Sequence, residues 1–182
     1  MRVIAGVAKG RKLKAGAGLR PSSERVRGAL FSMLDAAGVN MERILDLYAG
    51  TGSIGIEALS RGAGWVDFVE RDPGMARAIS ENLKVTGLEG RGRVHVLDTR
   101  KAVEVLSGAY DVIFMDPPYE DDSVGGVVEL IGEKSLCSGT GLVVVEHSRR
   151  RALREQYGEL VLGKEKKYGD TMLSIFQWEG SL

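Results

Sequence analysis

The sequence has few of the residues that build disulfides and metal centres. Among 182 residues there are one cysteine, Cys137, and two histidines. A single cysteine cannot form an internal disulfide, and so few soft ligands argue against a protein zinc site. Because no histidine lies near Cys137 in the sequence, we expect this cysteine to be a small buried apolar residue rather than a nucleophile.

Long apolar runs are absent as well. None approaches the roughly 20 residues that a membrane-spanning helix needs, and the N-terminus has no apolar signal segment. We therefore expect a cytoplasmic protein with no membrane partner. A chain that is 43% hydrophobic and 27% charged has the composition of a globular protein, and its length suits one domain with a sizeable core.

The chain has no net charge, but its basic and acidic residues are unevenly distributed along the sequence. Residues 1–30 hold eight basic residues against one acidic residue, and residues 149–167 hold seven against three. Basic segments on an otherwise acidic domain indicate a polyanionic partner, although solvated surface charge or a flexible tail would give the same composition. The candidate phosphate contacts of the first segment are Arg2, Lys9, Arg11, Lys12, Lys14 and Arg25.

The order of apolar runs predicts an α/β fold. Strands are expected at 44–47, 65–70, 93–98, 110–115 and 141–146, with helices between them, which indicates a doubly wound, mostly parallel, Rossmann-like sheet of seven strands. Two last strands, near 159–163 and 171–178, predict a C-terminal antiparallel hairpin. Residues 1–20 are predicted to be a small basic β-hairpin arm, and residues 21–182 the main domain.

Two further helices are expected on local grounds. The segment LRPSSERVRGALFSMLDAAG has a serine N-cap at Ser22 or Ser23 and a helical apolar face, with Arg25 and Arg27 off that face. An arginine-rich helix is expected over about 148–157.

The central motif is ILDLYAGTGSIG, residues 44–55. Gly50, Gly52 and Gly55 have the G-x-G-x-x-G spacing of a turn that lets backbone N–H groups approach a nucleotide-like ligand. Glu70 ends the next apolar run, 20 residues after Gly50, where an acid that binds ribose hydroxyls belongs. A tight turn without a ligand would also use these glycines, so the spacing alone does not decide.

A second motif, Asp116-Pro117-Pro118-Tyr119, follows the strand at 110–115. An NAD-dependent oxidoreductase has no need of it, and the chain has no Tyr-x-x-x-Lys of the kind that some of these enzymes use. The motif therefore points away from hydride transfer.

Taken together, these motifs resemble the class I S-adenosylmethionine-dependent methyltransferases. More narrowly, the chain is similar to the bacterial RsmD family, which methylates N2 of one guanine in small-subunit (16S) ribosomal RNA. The resemblance is carried by MRVIAGVAKGRKL, LRPSSERVRGALFSML, LDLYAGTGSIGIEALSRGA with FVERD, FMDPPYED and KKYGDTMLSIF. Departures are Ser22-Ser23 in place of two threonines and Gly28 in place of an acid.

The resemblance implies a cofactor and roles for named residues. S-adenosyl-L-methionine would be the donor, with Gly50, Gly52 and Gly55 making room for its methionine moiety and Glu70 on its ribose. Asp98 resembles the acid that accepts from the adenine amino group, and Asp46 would orient the ammonium or simply bond loop amides.

The same resemblance gives the acceptor side. The Asp116 carboxylate and the Pro117 carbonyl would accept the two hydrogens of the target amine, while Tyr119 stacks on the base. The implied partner is 16S rRNA or the small ribosomal subunit, with the basic arm on RNA phosphates.

Three other functions stay open on the sequence. They are an adenine-N6 amino-methyltransferase acting on DNA or RNA, an NAD-dependent oxidoreductase, and a non-catalytic RNA-binding or assembly protein that has kept the fold.

Overall fold

The computed structural model describes residues 1–15, 24–118 and 120–180. The helices are α1 (Glu24–Ala36), α2 (Ser53–Ser60), α3 (Pro73–Thr86), α4 (Thr99–Val105) and α5 (Val124–Glu133), with a 3₁₀ turn at Glu89–Arg91. The strands are β1 (Arg43–Leu47), β2 (Trp65–Glu70), β3 (Gly92–Val96), β4 (Tyr110–Met115), β5 (Cys137–Ser148), β6 (Gln156–Tyr157), β7 (Leu160–Tyr168) and β8 (Thr171–Trp178).

All eight of these strands form one sheet, in the order β3-β2-β1-β4-β5-β8-β7-β6. Strands β1 to β5 are parallel to their neighbours, whereas β8 runs antiparallel to β5, and β7 and β6 continue antiparallel. The predicted doubly wound sheet with a C-terminal antiparallel hairpin is therefore confirmed. The structure adds the two-residue edge strand β6.

Two apolar layers cover the faces of the sheet. Side chains of α1, α2 and α3 pack with Ile44, Phe114 and Val144 on one face. Side chains of α4 and α5 pack with Leu45, Ile113 and Val143 on the other. Because successive strand residues point to opposite faces, an uninterrupted apolar run such as Val143–Val145 fills both layers.

The sheet changes direction at β1, and that point sets the place of the site. From β1 the chain winds outward through β2 to β3, and it then returns to the other side of β1 as β4. In open α/β sheets, ligands bind at the carboxyl ends of the strands where the order reverses. Here that place lies between the ends of β1 and β4.

Local signals mark both ends of α3. The Asp72 side chain accepts a hydrogen bond from the Met75 N–H at the start of α3, and Gly87 ends the helix with a φ of 73°. Cys137 is buried, as expected for a small apolar residue. The serine cap expected at Ser22 or Ser23 lies outside the described residues.

Two local expectations are wrong. Arg27 does not lie off the core face of α1, because its side chain is 1% exposed. Residues 149–155 are not helical and lead instead through turns into β6. Tertiary contacts override helix propensity there, since the Arg149 N–H bonds the Asp170 carbonyl and the Arg151 guanidinium binds Asp122.

The N-terminal segment packs on the domain. One antiparallel bridge joins Arg2 to Lys12, and the side chains of Val3, Ala8 and Leu13 are buried in the α1–α3 layer. In the described part of the chain, no helix is long and apolar enough to cross a membrane.

Candidate active site

The glycine turn, which contains Gly50 and Gly52, follows β1 and has left-handed backbone angles. Gly50 has a φ of 57° and Gly52 a φ of 80°, a region that favours residues without a Cβ. The Gly52 N–H bonds the Ala49 carbonyl at 2.7 Å, and α2 begins one residue later. The turn thus directs the chain sharply from the sheet edge into a helix and leaves the Gly50 backbone at the surface of a cavity.

The three glycines serve different purposes. A Cβ on Gly55 would lie 2.3 Å from Cε1 of Phe68, and one on Gly52 would lie 3.0 Å from the Ile79 side chain. These two positions therefore permit close packing of α2 against β2 and α3. Of the three, only Gly50 is among the residues that line the cavity.

Asp46 lies beneath the turn. Its side chain is 2% exposed, and its Oδ2 accepts a hydrogen bond from the Gly55 N–H at 2.9 Å. Burial raises the pKa of Asp46 to about 7, against the opposing effect of that hydrogen bond, and the negative charges of Asp116 and Glu70 raise it further. Asp46 therefore holds the turn on α2 rather than lining the cavity.

Glu70 joins two loops at the end of β2. Its Oε2 accepts from the Gly50 N–H at 2.8 Å, and its Oε1 accepts from the Asp72 N–H at 2.8 Å. Asp98, two residues after β3, caps α4 by accepting from the Arg100 N–H at 2.9 Å. Both carboxylates line the cavity, so their backbone contacts orient them at its wall.

Asp116 and Pro117 lie directly after β4, one strand away from the glycine turn. Asp116 is half-buried and Pro117 is buried, and both line the same cavity as Gly50 and Glu70. Pro118 has no backbone N–H to give, which restricts local hydrogen bonding of the turn. Tyr119, the predicted stacking residue, lies outside the described residues.

The cavity is large enough for more than one small ligand. Its volume is about 1290 Å³, whereas sites for single small molecules are typically about 300–1,000 Å³. Gly50, Glu70 and Asp98 line one part of it, and Asp116 and Pro117 another. The structure thus brings five of the predicted site residues together and leaves Asp46, Gly52 and Gly55 behind the wall.

Tyr48, which directly follows β1, is a further residue that lines the cavity. It has a φ of 56°, which is rare for a residue with a side chain. Burial raises the pKa of its phenol to about 12, aided by the charge of Asp121 and opposed by a hydrogen bond with Ser123. The hydrogen bond between Tyr48 and Ser123 joins the end of β1 to the loop after the Asp-Pro-Pro-Tyr motif. No local sequence pattern predicts it.

Glu146 is a second cavity residue that sequence reasoning missed. It ends the apolar run of β5, and its side chain is 6% exposed. A carboxylate at the end of a buried parallel strand next to β4 is a signal that could have identified it.

Residues 1–15, the described part of the basic N-terminal segment, reach the cavity, where Met1 and Ala15 contribute to the lining. The side chains of Arg2, Lys9, Arg11, Lys12, Lys14 and Arg25 are exposed. Lys14 is the one of these that forms a described ion pair, with Glu81 of α3.

A buried carboxylate fixes this segment to α2. Glu57 is fully buried and accepts from the N–H groups of Ile4 at 2.8 Å and Ala5 at 3.0 Å. Arg27 lies beside it, with Nε 3.7 Å from the Glu57 Oε2, and donates to the Arg2 carbonyl at 2.7 Å. Since α2 begins at the glycine turn, this helix contacts both the basic segment and that turn.

A family model described as conserved hypothetical protein 95 matches residues 1–177, nearly the whole chain. The chain belongs to this family, the RsmD family of methyltransferases. The resemblance read from the sequence motifs is thereby confirmed.

Relatives within the family match over nearly full length. "Putative rRNA methyltransferase YlbH" of Bacillus subtilis is 37% identical, with 99% of this chain and 100% of the relative covered. "Ribosomal RNA small subunit methyltransferase D" of Escherichia coli is 29% identical, with 98% and 90% covered. The solved structure called "Putative methyltransferase yhhF" from Escherichia coli has a TM-score of 0.87 at 30% identity, with 98% of both chains covered.

Proposed function

We propose that the chain transfers a methyl group from S-adenosyl-L-methionine to the N2 amine of a guanine in small-subunit (16S) ribosomal RNA. The observation that carries this proposal is the convergence of Gly50 and Glu70 with Asp116 and Pro117 on one cavity. The names of the RsmD-family relatives support ribosomal RNA as the substrate class.

The glycine-turn side of the cavity fits the donor. Gly50 leaves room for backbone approach, and Glu70 and Asp98 offer carboxylates that accept hydrogen bonds from hydroxyl and amino groups. When bound, the donor supplies a methyl group activated by its sulfonium. Glu70 would hold the ribose hydroxyls and Asp98 the adenine amino group, while Asp46 keeps the turn in place through Gly55.

The β4 side of the cavity fits the acceptor amine. The Asp116 carboxylate and the Pro117 carbonyl accept the two amine hydrogens, which turns the nitrogen lone pair toward the methyl carbon. As the methyl group moved to the amine, the sulfonium would leave as a neutral thioether and the nitrogen would gain positive charge. The Asp116 carboxylate would stabilise that charge until the nitrogen released one proton to water. A paired or stacked target base would have to turn out of its stack to enter the cavity.

The RNA would reach the cavity across the basic N-terminal segment. The segment is anchored on α2, where Glu57 accepts from the N–H groups of Ile4 and Ala5. Exposed side chains that suit phosphate contacts are those of Arg2, Lys9, Arg11, Lys12, Lys14 and Arg25. An anchored segment loses little conformational entropy on binding, so its charges would position the RNA as well as attract it.

Asp116→Ala tests the acceptor side. Turnover should fall by about a hundredfold or more, because the amine loses a positioning group at the reacting centre. Affinity for S-adenosyl-L-methionine, measured by calorimetric titration, should stay near that of the unmodified protein.

The matched control is Asp170→Asn, which removes an exposed carboxylate from the rim of the same cavity. This control should retain turnover. Near-normal turnover of Asp116→Ala with donor bound would overturn the mechanism.

A further inference from the structure

Glu146 is a buried carboxylate in the cavity that the proposed mechanism does not use. It lies in β5, the neighbour of β4, and only 6% of its surface is exposed. A carboxylate that lines a ligand cavity is a candidate for ligand recognition.

The register of the sheet brings Glu146 near Asp116, since the two residues directly follow the last paired residues of β4 and β5, Met115 and Val145. Phe114 pairs with Val144 across β4 and β5, and both belong to the α1–α3 layer. Strand side chains alternate between faces, so Glu146, two residues after Val144, points to that same face. Asp116 is the first residue after β4, and both residues line the cavity. Parallel neighbours lie about 4.8 Å apart, which puts the two carboxylates at adjacent positions on the cavity wall.

The edge of guanine carries two neighbouring donor groups. Its N2 amine is directly adjacent to the N1–H, so a base whose amine lies at Asp116 presents a second N–H toward the neighbouring side chain. An ionised carboxylate can only accept hydrogen bonds. Charge-assisted bonds of this kind are about twice as strong as neutral ones.

We propose that Glu146 determines specificity for guanine by accepting the N1–H of the target base while Asp116 and Pro117 hold its N2 amine. This inference rests on the proposed function, since it concerns the acceptor in the same cavity. It excludes adenine by the same contact. Next to its amine, adenine has a lone pair at N1. This lone pair would face the Glu146 carboxylate, so neither N1 nor the carboxylate would have a hydrogen-bond donor.

The test uses RNA in which the guanine that the unmodified protein methylates, mapped first, is replaced by 2-aminopurine. This base keeps the 2-amine but has a lone pair at N1. The unmodified protein should prefer guanine over 2-aminopurine by about a hundredfold or more in kcat/KM, because a site built to accept a hydrogen bond rejects an analogue that lacks the donor. Comparable rates on the two RNAs would overturn the inference without any variant.

Glu146→Gln separates recognition from a structural role. Its amide can donate to the N1 lone pair of 2-aminopurine, so the preference for guanine should shrink by about tenfold or more. Cofactor affinity reports that the variant is folded.

Glu120→Gln, which removes an exposed carboxylate from the same cavity, should leave the preference unchanged. An equal loss on both RNAs in Glu146→Gln would show that Glu146 only supports the fold. If the unmodified protein methylates no guanine, it is the proposed function that fails, and this outcome is distinct from comparable rates on the two RNAs.

Discussion

Replacing Asp46 with asparagine should change how stability depends on pH. The Asp46 side chain is buried beneath the glycine turn and accepts the Gly55 N–H at 2.9 Å. An asparagine side chain has nearly the same shape, and its carbonyl oxygen can accept the same hydrogen bond. Asp46→Asn therefore removes the titration of this group with little change in packing.

The magnitude follows from the two protonation states. The pKa of Asp46 is about 7 in the folded chain, raised chiefly by burial, and 3.8 is the ordinary value expected after unfolding. Between these values the folded chain holds a proton that the unfolded chain has lost, so stability falls as pH rises through this window. By linkage the full loss is on the order of 4 kcal/mol, complete above the folded pKa.

Urea unfolding across the window measures this effect. The free energy of unfolding of Asp46→Asn, relative to the unmodified protein, should rise between about pH 4 and pH 8, approaching about 4 kcal/mol. Asp170→Asn, at an exposed carboxylate, should show no comparable rise. Parallel profiles for Asp46→Asn and the unmodified protein would refute the account of Asp46 as a buried acid with a raised pKa.

Two other predictions concern the donor and the RNA. Glu70→Ala should weaken S-adenosyl-L-methionine binding by about 1–3 kcal/mol in a calorimetric titration, because ribose hydroxyls lose their acceptor; unchanged affinity would reject the assignment. Combined alanine substitution of exposed Lys9, Arg11 and Lys12 should weaken RNA binding and flatten its salt dependence by about 0.7–0.9 per lost phosphate contact. The control is Lys134→Ala, which removes an exposed cation outside the basic segment. A salt dependence of RNA binding equal to that of this control would show that Lys9, Arg11 and Lys12 do not contact the RNA.

The packing of the basic segment decides how it should be tested. Removing residues 1–14 would delete Val3 and Leu13, which are buried in the α1–α3 layer. Such a truncation would lower stability as well as positive charge, since each buried aliphatic side chain contributes about 1.5–3 kcal/mol. Substituting exposed cations leaves the anchor at Glu57 intact.

Local patterns are sufficient to predict the sheet and the cavity-facing motifs. Apolar runs mark β1 to β5, and the glycine spacing marks the turn after β1, because both depend on neighbours in sequence. Since carboxyl ends of parallel strands share one edge, the order of strands and motifs predicts that Gly50, Glu70 and Asp116 meet there. All three line the cavity at that edge of the sheet.

Features that depend on distant residues escape prediction. Arg27 is buried because Glu57, thirty positions away, lies beside it, and helix periodicity alone places it at the surface. The segment after Arg149 is held by Asp170 and Asp122 rather than by a helix of its own. The position of Glu146 near Asp116 depends on the register of β5 against β4, which the sequence does not predict.

The most direct measurement of the central claim is methyl transfer to small-subunit RNA taken from a strain that lacks the corresponding gene. Tritiated S-adenosyl-L-methionine is supplied as donor, and the labelled RNA is digested to nucleosides. We expect the label in N2-methylguanosine and its loss with Asp116→Ala. Label in N6-methyladenosine, or no transfer to RNA by the unmodified protein, would contradict the proposed function.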